Sequence, residues 1–164
     1  MWIFSSTLNS MDIRTVKGDQ LLMTADAYTI YSQCMFQAEF EKYCSKIVEL
    51  SARQEIYIFA AFHNGQISGI ITLKKTSVEA AEIIGIAVKK EFQRCGIGRA
   101  MVCFAVQELD VKYLAAETDE EAVGFYKRSG FSVTPFVRRF PDGEITRYNC
   151  VLDVLAHREK NLEQ

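Results

Sequence analysis

A chain of 164 residues is long enough for one domain that buries a hydrophobic core without help from metals or disulfides. Its 19 basic and 21 acidic residues give a formal net charge of −2, which argues against general nucleic-acid binding and against a polybasic membrane patch. Five cysteines are scattered without C-x-x-C pairs, so neither a zinc site nor a disulfide framework is indicated, and we expect a reducing, cytoplasmic location. These properties favour a protein that binds or converts small molecules.

The ends of the chain differ in character from its middle. Residues 1–10 lack the basic start and long apolar core of a signal peptide, and we interpret them as an N-terminal appendage. Residues 11–155 form the predicted domain, and residues 156–164 a polar tail that frays or finishes a short helix. No apolar run reaches the length of a transmembrane helix, so we expect a soluble protein.

The first half of the domain shows clear helix and strand patterns. Asp19 suits the N-cap of a helix, and Asn64-Gly65 between two apolar runs is the strongest short hairpin signal. His63 lies at that turn, where an exposed imidazole is the simpler interpretation. The predicted elements are a strand over residues 11–16, helices over 20–35 and 39–52, and strands over 56–62 and 66–73.

The centre of the chain is a strand that leads through a glycine turn into a helix. The strand, residues 82–88, places alternate side chains on one face, since side chains alternate with period two. These are Glu82, Ile84, Ile86 and Val88.

The turn that follows has the character of a phosphate site. The first turn of a helix has unpaired N–H groups at the positive end of its dipole, and Gly96 and Gly98 let a phosphate approach the backbone closely. Arg94 and Arg99 add positive charge. A tight turn with glycines needed only for sterics is the alternative. Met101 occupies the third position of a dinucleotide-binding G-x-G-x-x-G pattern, which sets that motif aside.

The second half continues with alternating strands and one helix. Thr118 and Glu121 have the spacing of a capping box, Lys127 and Arg128 suit a helix C-terminus, and Gly130 suits the left-handed residue beyond it. The predicted elements are strands over residues 113–117, 131–136 and 145–152, with a turn at Pro141-Asp142-Gly143 and with Arg138 and Arg139 in the linking stretch.

Two motifs carry a family resemblance. Gln93-Arg94-Cys95-Gly96-Ile97-Gly98 resembles the Gln/Arg-x-x-Gly-x-Gly/Ala motif of the GCN5-related N-acetyltransferases (GNAT), and it lies between a strand and a helix as it does there. Residues 122–131, Ala-Val-Gly-Phe-Tyr-Lys-Arg-Ser-Gly-Phe, are similar to that family's Ala-x-x-x-Tyr-x-x-x-Gly-Phe signature. The resemblance extends over residues 11–153. It implies an α/β (α+β) fold with a mixed, mostly antiparallel central sheet flanked by helices, and with splayed strands at the coenzyme site.

The resemblance also implies a coenzyme site for acetyl-coenzyme A. The strand backbone at Ile86 to Val88 would bond the pantetheine arm and the thioester oxygen, and the amides of the glycine loop would hold the pyrophosphate. Asp119 replaces an asparagine that meets the pantetheine in many relatives, and it can instead cap the helix. The implied coenzyme-binding residues are Ile86, Ala87, Val88, Arg94, Cys95, Gly96, Ile97, Gly98, Arg99, Asp119 and Tyr126.

Three residues are candidates for catalysis of acetyl transfer. Transfer to an amine needs a base, and Glu82 is the first candidate because it is a charge on an apolar strand and matches the base of several relatives; a solvated strand end is the alternative. Glu117 is the second candidate. By resemblance Tyr126 protonates the departing thiolate, and a structural helix tyrosine is its alternative. No metal is required.

The acceptor and the partners are less determined by the sequence. A primary amine on a small molecule or a protein is the predicted acceptor, with no nucleic acid or membrane partner, and the chain is compatible with a homodimer. In relatives the first helices border the acceptor groove, so Tyr28, Tyr31 and Phe36 are candidates to line it, although core packing is favoured for them. The alternative functions are a non-catalytic acyl-coenzyme A sensor or interaction module, and a purely structural domain. Cys95 is interpreted as a loop filler.

Overall fold

The structure, a computed structural model, describes residues 11–162. Within them the chain forms seven strands and five α-helices. The strands are β1 (Met11–Thr15), β2 (Ile56–His63), β3 (Gln66–Lys75), β4 (Ala80–Val88), β5 (Tyr113–Thr118), β6 (Ser132–Phe140) and β7 (Gly143–Asp153). The helices are α1 (Ala25–Tyr31), α2 (Phe40–Ala52), α3 (Ile97–Leu109), α4 (Val123–Arg128) and α5 (Val154–Leu162).

The strands of the described chain belong to one mixed sheet in the order β1-β2-β3-β4-β5-β7-β6. The pairs β1–β2, β2–β3, β5–β7 and β6–β7 are antiparallel, whereas β4 and β5 run parallel. The β4–β5 ladder pairs Ala80–Ile83 with Tyr113–Ala116, and β4 continues beyond it to Val88. The predicted mixed, mostly antiparallel sheet is therefore confirmed.

The described chain divides into two compact units. The first contains residues 11–74 and 85–105, and the second contains residues 75–84 and 106–162. In the first unit α1 and α2 pack on the sheet through buried side chains, among them Ile30 and Tyr43, each 0% exposed. The predicted hairpin is also there, because Asn64 and Gly65 have φ of 49° and 76° and join β2 to β3.

The predicted first helix over residues 20–35 is wrong as a continuous element. Asp19 does cap it, since its carboxylate accepts a hydrogen bond from the Leu21 N–H, but it opens only a 3-10 turn, Gln20–Met23. Thr24 is extended and caps α1 instead, because its hydroxyl oxygen accepts from the Ala27 N–H. A second 3-10 turn, Ser32–Cys34, follows α1. Threonine competes for the helix backbone with its own side chain, which explains the break.

A buried polar contact fixes α1 against β4 in the first unit. The Tyr31 hydroxyl and Thr72 Oγ1 are 2.5 Å apart, and the Thr72 hydroxyl donates to the Gly85 carbonyl at 3.4 Å. Burial raises the pKa of Tyr31, so its hydroxyl remains protonated at neutral pH. Tyr31 is 3% exposed and belongs to the core, as predicted. The core packing favoured for Phe36 is wrong, because Phe36 is 89% exposed.

Gly85→Ala is expected to destabilise the protein by about 1–3 kcal/mol, because the new methyl would overlap the Tyr31 hydroxyl and lie 2.8 Å from its Cζ and 3.0 Å from Thr72 Oγ1. Urea unfolding measures the change. Gly124→Ala is the matched control, because its methyl would meet only the flexible Arg128 side chain. Equal stability of Gly85→Ala and the parent would contradict the packing described here.

In the second unit two predicted details are corrected. The helix α4 begins at Val123 rather than at a capping box, because Thr118 ends β5 and is 6% exposed. Arg138 and Arg139 lie within β6 rather than in a linking stretch, since β6 and β7 extend to a tight turn between Phe140 and Gly143.

Other predictions in this unit agree with the structure. Gly130 is left-handed, with φ of 91°, directly after α4. The polar end of the chain forms α5 through residue 162. The predicted appendage, residues 1–10, lies outside the described residues.

Candidate coenzyme site and catalytic residues

The glycine loop of the first unit reaches α3 through two left-handed residues. Arg94 has φ of 63° and Gly96 has φ of 83°, and the helix begins at Ile97. Arg94 in this conformation costs about 1–2 kcal/mol, a strain that the surrounding loop must support. A Cβ built on Gly96 would meet no atom within 4 Å, so the space before the helix is open. These features fit a phosphate at the helix N-terminus.

The strand before the loop presents its backbone in a defined direction. The Lys89 N–H donates to the Ser68 carbonyl of β3 at 2.8 Å. Backbone groups of alternate residues point to opposite edges of a strand, so Ile86 and Val88 direct theirs away from β3. Along β4 the side chains alternate as predicted: Glu82, Ile84, Ile86 and Val88 are half-buried or exposed, and the intervening residues are buried.

Two residues that sequence reasoning missed lie on this edge. Gln33 and Cys34 belong to the 3-10 turn after α1, and Gln33 Nε2 donates to the Val88 carbonyl at 3.3 Å. The Cys34 thiol donates to the Tyr31 carbonyl at 3.1 Å and contacts the Ile86 backbone. Desolvation raises the pKa of this thiol to about 12, although other atoms of the residue are exposed. No local pattern could have found these residues, because Gln33 is 55 positions from Val88.

The two candidate bases lie in the second unit on neighbouring strands. Glu82 is paired with Ala115, so Glu117, two residues further along β5, extends from the same face of the sheet. Each oxygen of Glu117 accepts a hydrogen bond from an arginine, one from Arg147 Nε at 3.0 Å and the other from Arg138 Nη2 at 2.8 Å. Within the described residues no hydrogen bond or ion pair engages the half-buried Glu82 carboxylate. The two carboxylates therefore differ in their surroundings.

Asp119 and Tyr126 lie at the two ends of the α4 region in the second unit. The Asp119 carboxylate accepts from the Ala122 N–H at 3.0 Å, so it caps the turn before α4, and it lies 4.0 Å from Arg147 Nη1. Tyr126 is 5% exposed and packs edge-on against Phe125 and Phe131, with ring centroids 5.1 and 5.2 Å apart. Most of the Tyr126 ring is thus fixed by aromatic packing.

The described residues contain neither a metal-binding cluster nor a membrane-spanning helix. Between residues 11 and 162, no cluster of three or more His, Cys, Asp or Glu has the arrangement of a metal site. None of the helices described is long and apolar enough to cross a membrane. The five cysteines, all within this range, are free thiols.

Comparison with known proteins gives a consistent result. Residues 22–131 match the model of the acetyltransferase (GNAT) family. The uncharacterized N-acetyltransferase YvbK of Bacillus subtilis (strain 168) is 30% identical over 83 residues, which cover 46% of this chain and 52% of that protein. The chain thus spans about half the length of this curated relative.

Solved structures share the fold over nearly the whole chain. The ribosomal-protein-S18-alanine N-acetyltransferase of Escherichia coli has a TM-score of 0.66 and 22% identity over 88% of this chain and 94% of that chain. A GNAT family acetyltransferase of Elizabethkingia anophelis, solved with acetyl-CoA bound, has a TM-score of 0.63 and 20% identity. The match covers 89% of this chain and 99% of that chain. The spermidine N-acetyltransferase SpeG of Vibrio cholerae, solved as its N152L mutant, has a TM-score of 0.67 and 14% sequence identity. The match covers 93% of this chain and 98% of that chain.

The family model covers more than half of the chain, and it includes the glycine loop, with left-handed Arg94 and Gly96, that leads into α3. This chain belongs to the GNAT acetyltransferase family.

Proposed function

We propose that the protein is an acetyl-coenzyme A-dependent N-acetyltransferase that moves an acetyl group to a primary amine by direct attack in a ternary complex. The observation that carries the proposal is the order of three elements within the family-matched region. The strand β4 is followed by a loop with left-handed Arg94 and Gly96, and the loop leads into the N-terminus of α3. Acetyl-coenzyme A, which is bound in the Elizabethkingia anophelis relative, supplies the acetyl group as a thioester.

The proposed coenzyme contacts involve the backbone of the first unit. The amides of residues 94–99 would bind the pyrophosphate, with the charges of Arg94 and Arg99 nearby. The outward N–H and C=O groups of Ile86 and Val88 would bond the amide groups of the pantetheine arm as a neighbouring strand does. The Ile86 N–H would also stabilise the negative charge that develops on the thioester oxygen, a contribution of about 3–4 kcal/mol in enzymes where one such donor has been removed.

We assign the base role to Glu82 in preference to Glu117. Both oxygens of Glu117 already accept charge-assisted hydrogen bonds, so protonating it would weaken its contacts with two arginines. Glu82 has no such competing partner among the described residues. Its carboxylate would remove the proton of the ammonium form of the acceptor, directly or through water.

We assign a catalytic role to Tyr126 and exclude Cys34 as a nucleophile. We assign to the Tyr126 hydroxyl the proton that the departing thiolate receives. The Cys34 thiol has a pKa of about 12, so at neutral pH it is protonated and unsuited to act as a nucleophile. This supports direct attack by the amine over a covalent acyl-enzyme at that residue.

The proposal also includes an amine acceptor and a cytoplasmic location. The structural neighbours named above are called transferases for spermidine and for an alanine of a ribosomal protein. Both are amines, which supports an amine acceptor without choosing between a small molecule and a protein. Free thiols persist in reducing compartments, which supports the cytoplasmic prediction. Homodimer formation stays a prediction.

A turnover assay tests the proposal. The purified chain is incubated with acetyl-coenzyme A and a panel of polyamines, amino acids and peptides, and both free coenzyme A thiol and the acetylated amine are measured. We expect turnover with at least one amine, and a decrease in kcat of about 10²-fold for Tyr126→Phe with the KM for coenzyme unchanged. Coenzyme binding without turnover on any amine would favour the non-catalytic sensor. An unchanged kcat for Tyr126→Phe would remove the role assigned to that hydroxyl.

A further inference from the structure

A pair of glutamines from distant parts of the first unit converges on one backbone carbonyl. Gln93, the first residue of the glycine-loop motif, donates from Nε2 to the Val88 carbonyl at 3.1 Å. Gln33 donates to the same carbonyl at 3.3 Å, and its own Oε1 accepts from Gln93 Nε2 at 3.1 Å. The three groups form a closed hydrogen-bonded set that joins the turn after α1 to the loop before α3.

This arrangement uses the full acceptor capacity of the Val88 carbonyl. A carbonyl oxygen has two lone pairs, and here each has a carboxamide donor. The same turn covers the next outward position, because the Cys34 thiol contacts the Ile86 backbone. Gln33 and Cys34 therefore lie against the two strand residues, Ile86 and Val88, that the proposed function gives to the pantetheine arm.

The chemistry of Gln33 matches that of the group it would exclude. Its side chain ends in a primary carboxamide, and the pantetheine arm contains secondary amides that donate through N–H in the same way. While Gln93 donates to one lone pair of the Val88 carbonyl, either the Gln33 carboxamide or a pantetheine amide can donate to the other lone pair, but not both. Binding of the arm therefore requires the Gln33 carboxamide to leave.

We propose that Gln33 occupies the pantetheine position on the Val88 carbonyl and is displaced when the coenzyme binds. This inference rests on the proposed function. Displacement removes the Gln33 contacts that join the Ser32–Cys34 turn to Val88 and Gln93, and this turn connects α1 to the segment leading into α2.

The test separates the pantetheine arm from the phosphate end of the coenzyme. Acetyl-coenzyme A contains both, whereas adenosine 3′,5′-bisphosphate has no pantetheine. Binding of each probe is measured by titration calorimetry to the parent, Gln33→Ala, Gln33→Met and Ser32→Ala. Gln33→Met keeps the length of the side chain and removes its hydrogen bonds. Ser32→Ala is the matched control, since among the described residues the Ser32 hydroxyl donates to the Thr29 carbonyl of α1, at 3.4 Å, and not to Val88.

Both Gln33 variants are expected to bind acetyl-coenzyme A about two- to tenfold more tightly than the parent, the equivalent of one net hydrogen bond. Their affinity for adenosine 3′,5′-bisphosphate is expected to remain unchanged, and Ser32→Ala to match the parent with both probes. In turnover, the KM for coenzyme is expected to fall without an increase in kcat.

Three results would overturn the inference or its basis. Unchanged or weaker acetyl-coenzyme A binding by both Gln33 variants, with normal binding by the parent, would overturn the role of Gln33 and leave the proposed function standing. Equal tightening for both probes would show that Gln33 acts on the phosphate loop through Gln93, which also overturns the role. Absence of binding of either probe to the folded parent would overturn the proposed function itself.

Discussion

Gly96→Glu is expected to weaken acetyl-coenzyme A binding by at least about a hundredfold, because the variant carboxylate would lie where we propose that the pyrophosphate binds. The loss combines charge repulsion with the removal of hydrogen bonds from the loop amides to the phosphates. A Cβ at this position meets no atom within 4 Å, so the substitution leaves the packing of the domain intact, at the cost of about 1–2 kcal/mol for a left-handed residue.

The measurement is the rise in melting temperature that saturating acetyl-coenzyme A produces, since a ligand that binds only the folded state stabilises it. Gly18→Glu is the matched control: Gly18 is also left-handed, with φ of 78°, and its Cβ would also meet no atom within 4 Å. The control is expected to keep the full ligand-induced rise while Gly96→Glu loses it. An equal rise in both variants would place the phosphates elsewhere.

The second large effect concerns proton removal. Glu82→Gln is expected to lower kcat/KM at neutral pH by about 10²–10⁴-fold, the usual contribution of a general base. The deficit should shrink as the pH rises, because the neutral fraction of an amine with a pKa near 10 increases about tenfold per pH unit and the base becomes unnecessary. Coenzyme affinity should not change.

Glu117→Gln serves as the comparison in this experiment. Its carboxylate is held by Arg138 and Arg147, so we expect a smaller loss of kcat/KM that does not depend on pH. Both variants are assayed between about pH 6 and pH 9 with one good acceptor. If Glu117→Gln showed the large pH-dependent loss and Glu82→Gln did not, the base assignment would be reversed.

The elements that sequence predicted well depend on local chemistry. Asn64-Gly65 specifies its hairpin because both positions need positive φ, and the glycine loop precedes its helix for the same kind of reason. The alternation along β4 also followed from the sequence, since one face is buried and the other is open. Such features involve residues close together in the chain.

Other features depended on competition or on distant contacts. Thr24 and Thr118 each fit more than one local role: the Thr24 hydroxyl caps a new helix, whereas Thr118 remains in a buried strand end. The Gln33–Gln93 contact joins residues 60 positions apart, and Arg147 reaches Glu117 from 30 positions away. Exposed polar side chains carry no periodic signal, so no pattern in the sequence could have predicted these partners.

Calorimetric titration of the purified parent chain with acetyl-coenzyme A tests the central claim most directly. We expect saturable binding to one site per chain, competed by coenzyme A. A folded parent that gives no binding heat and no competition at any temperature tried would contradict the coenzyme site, and with it the transferase function.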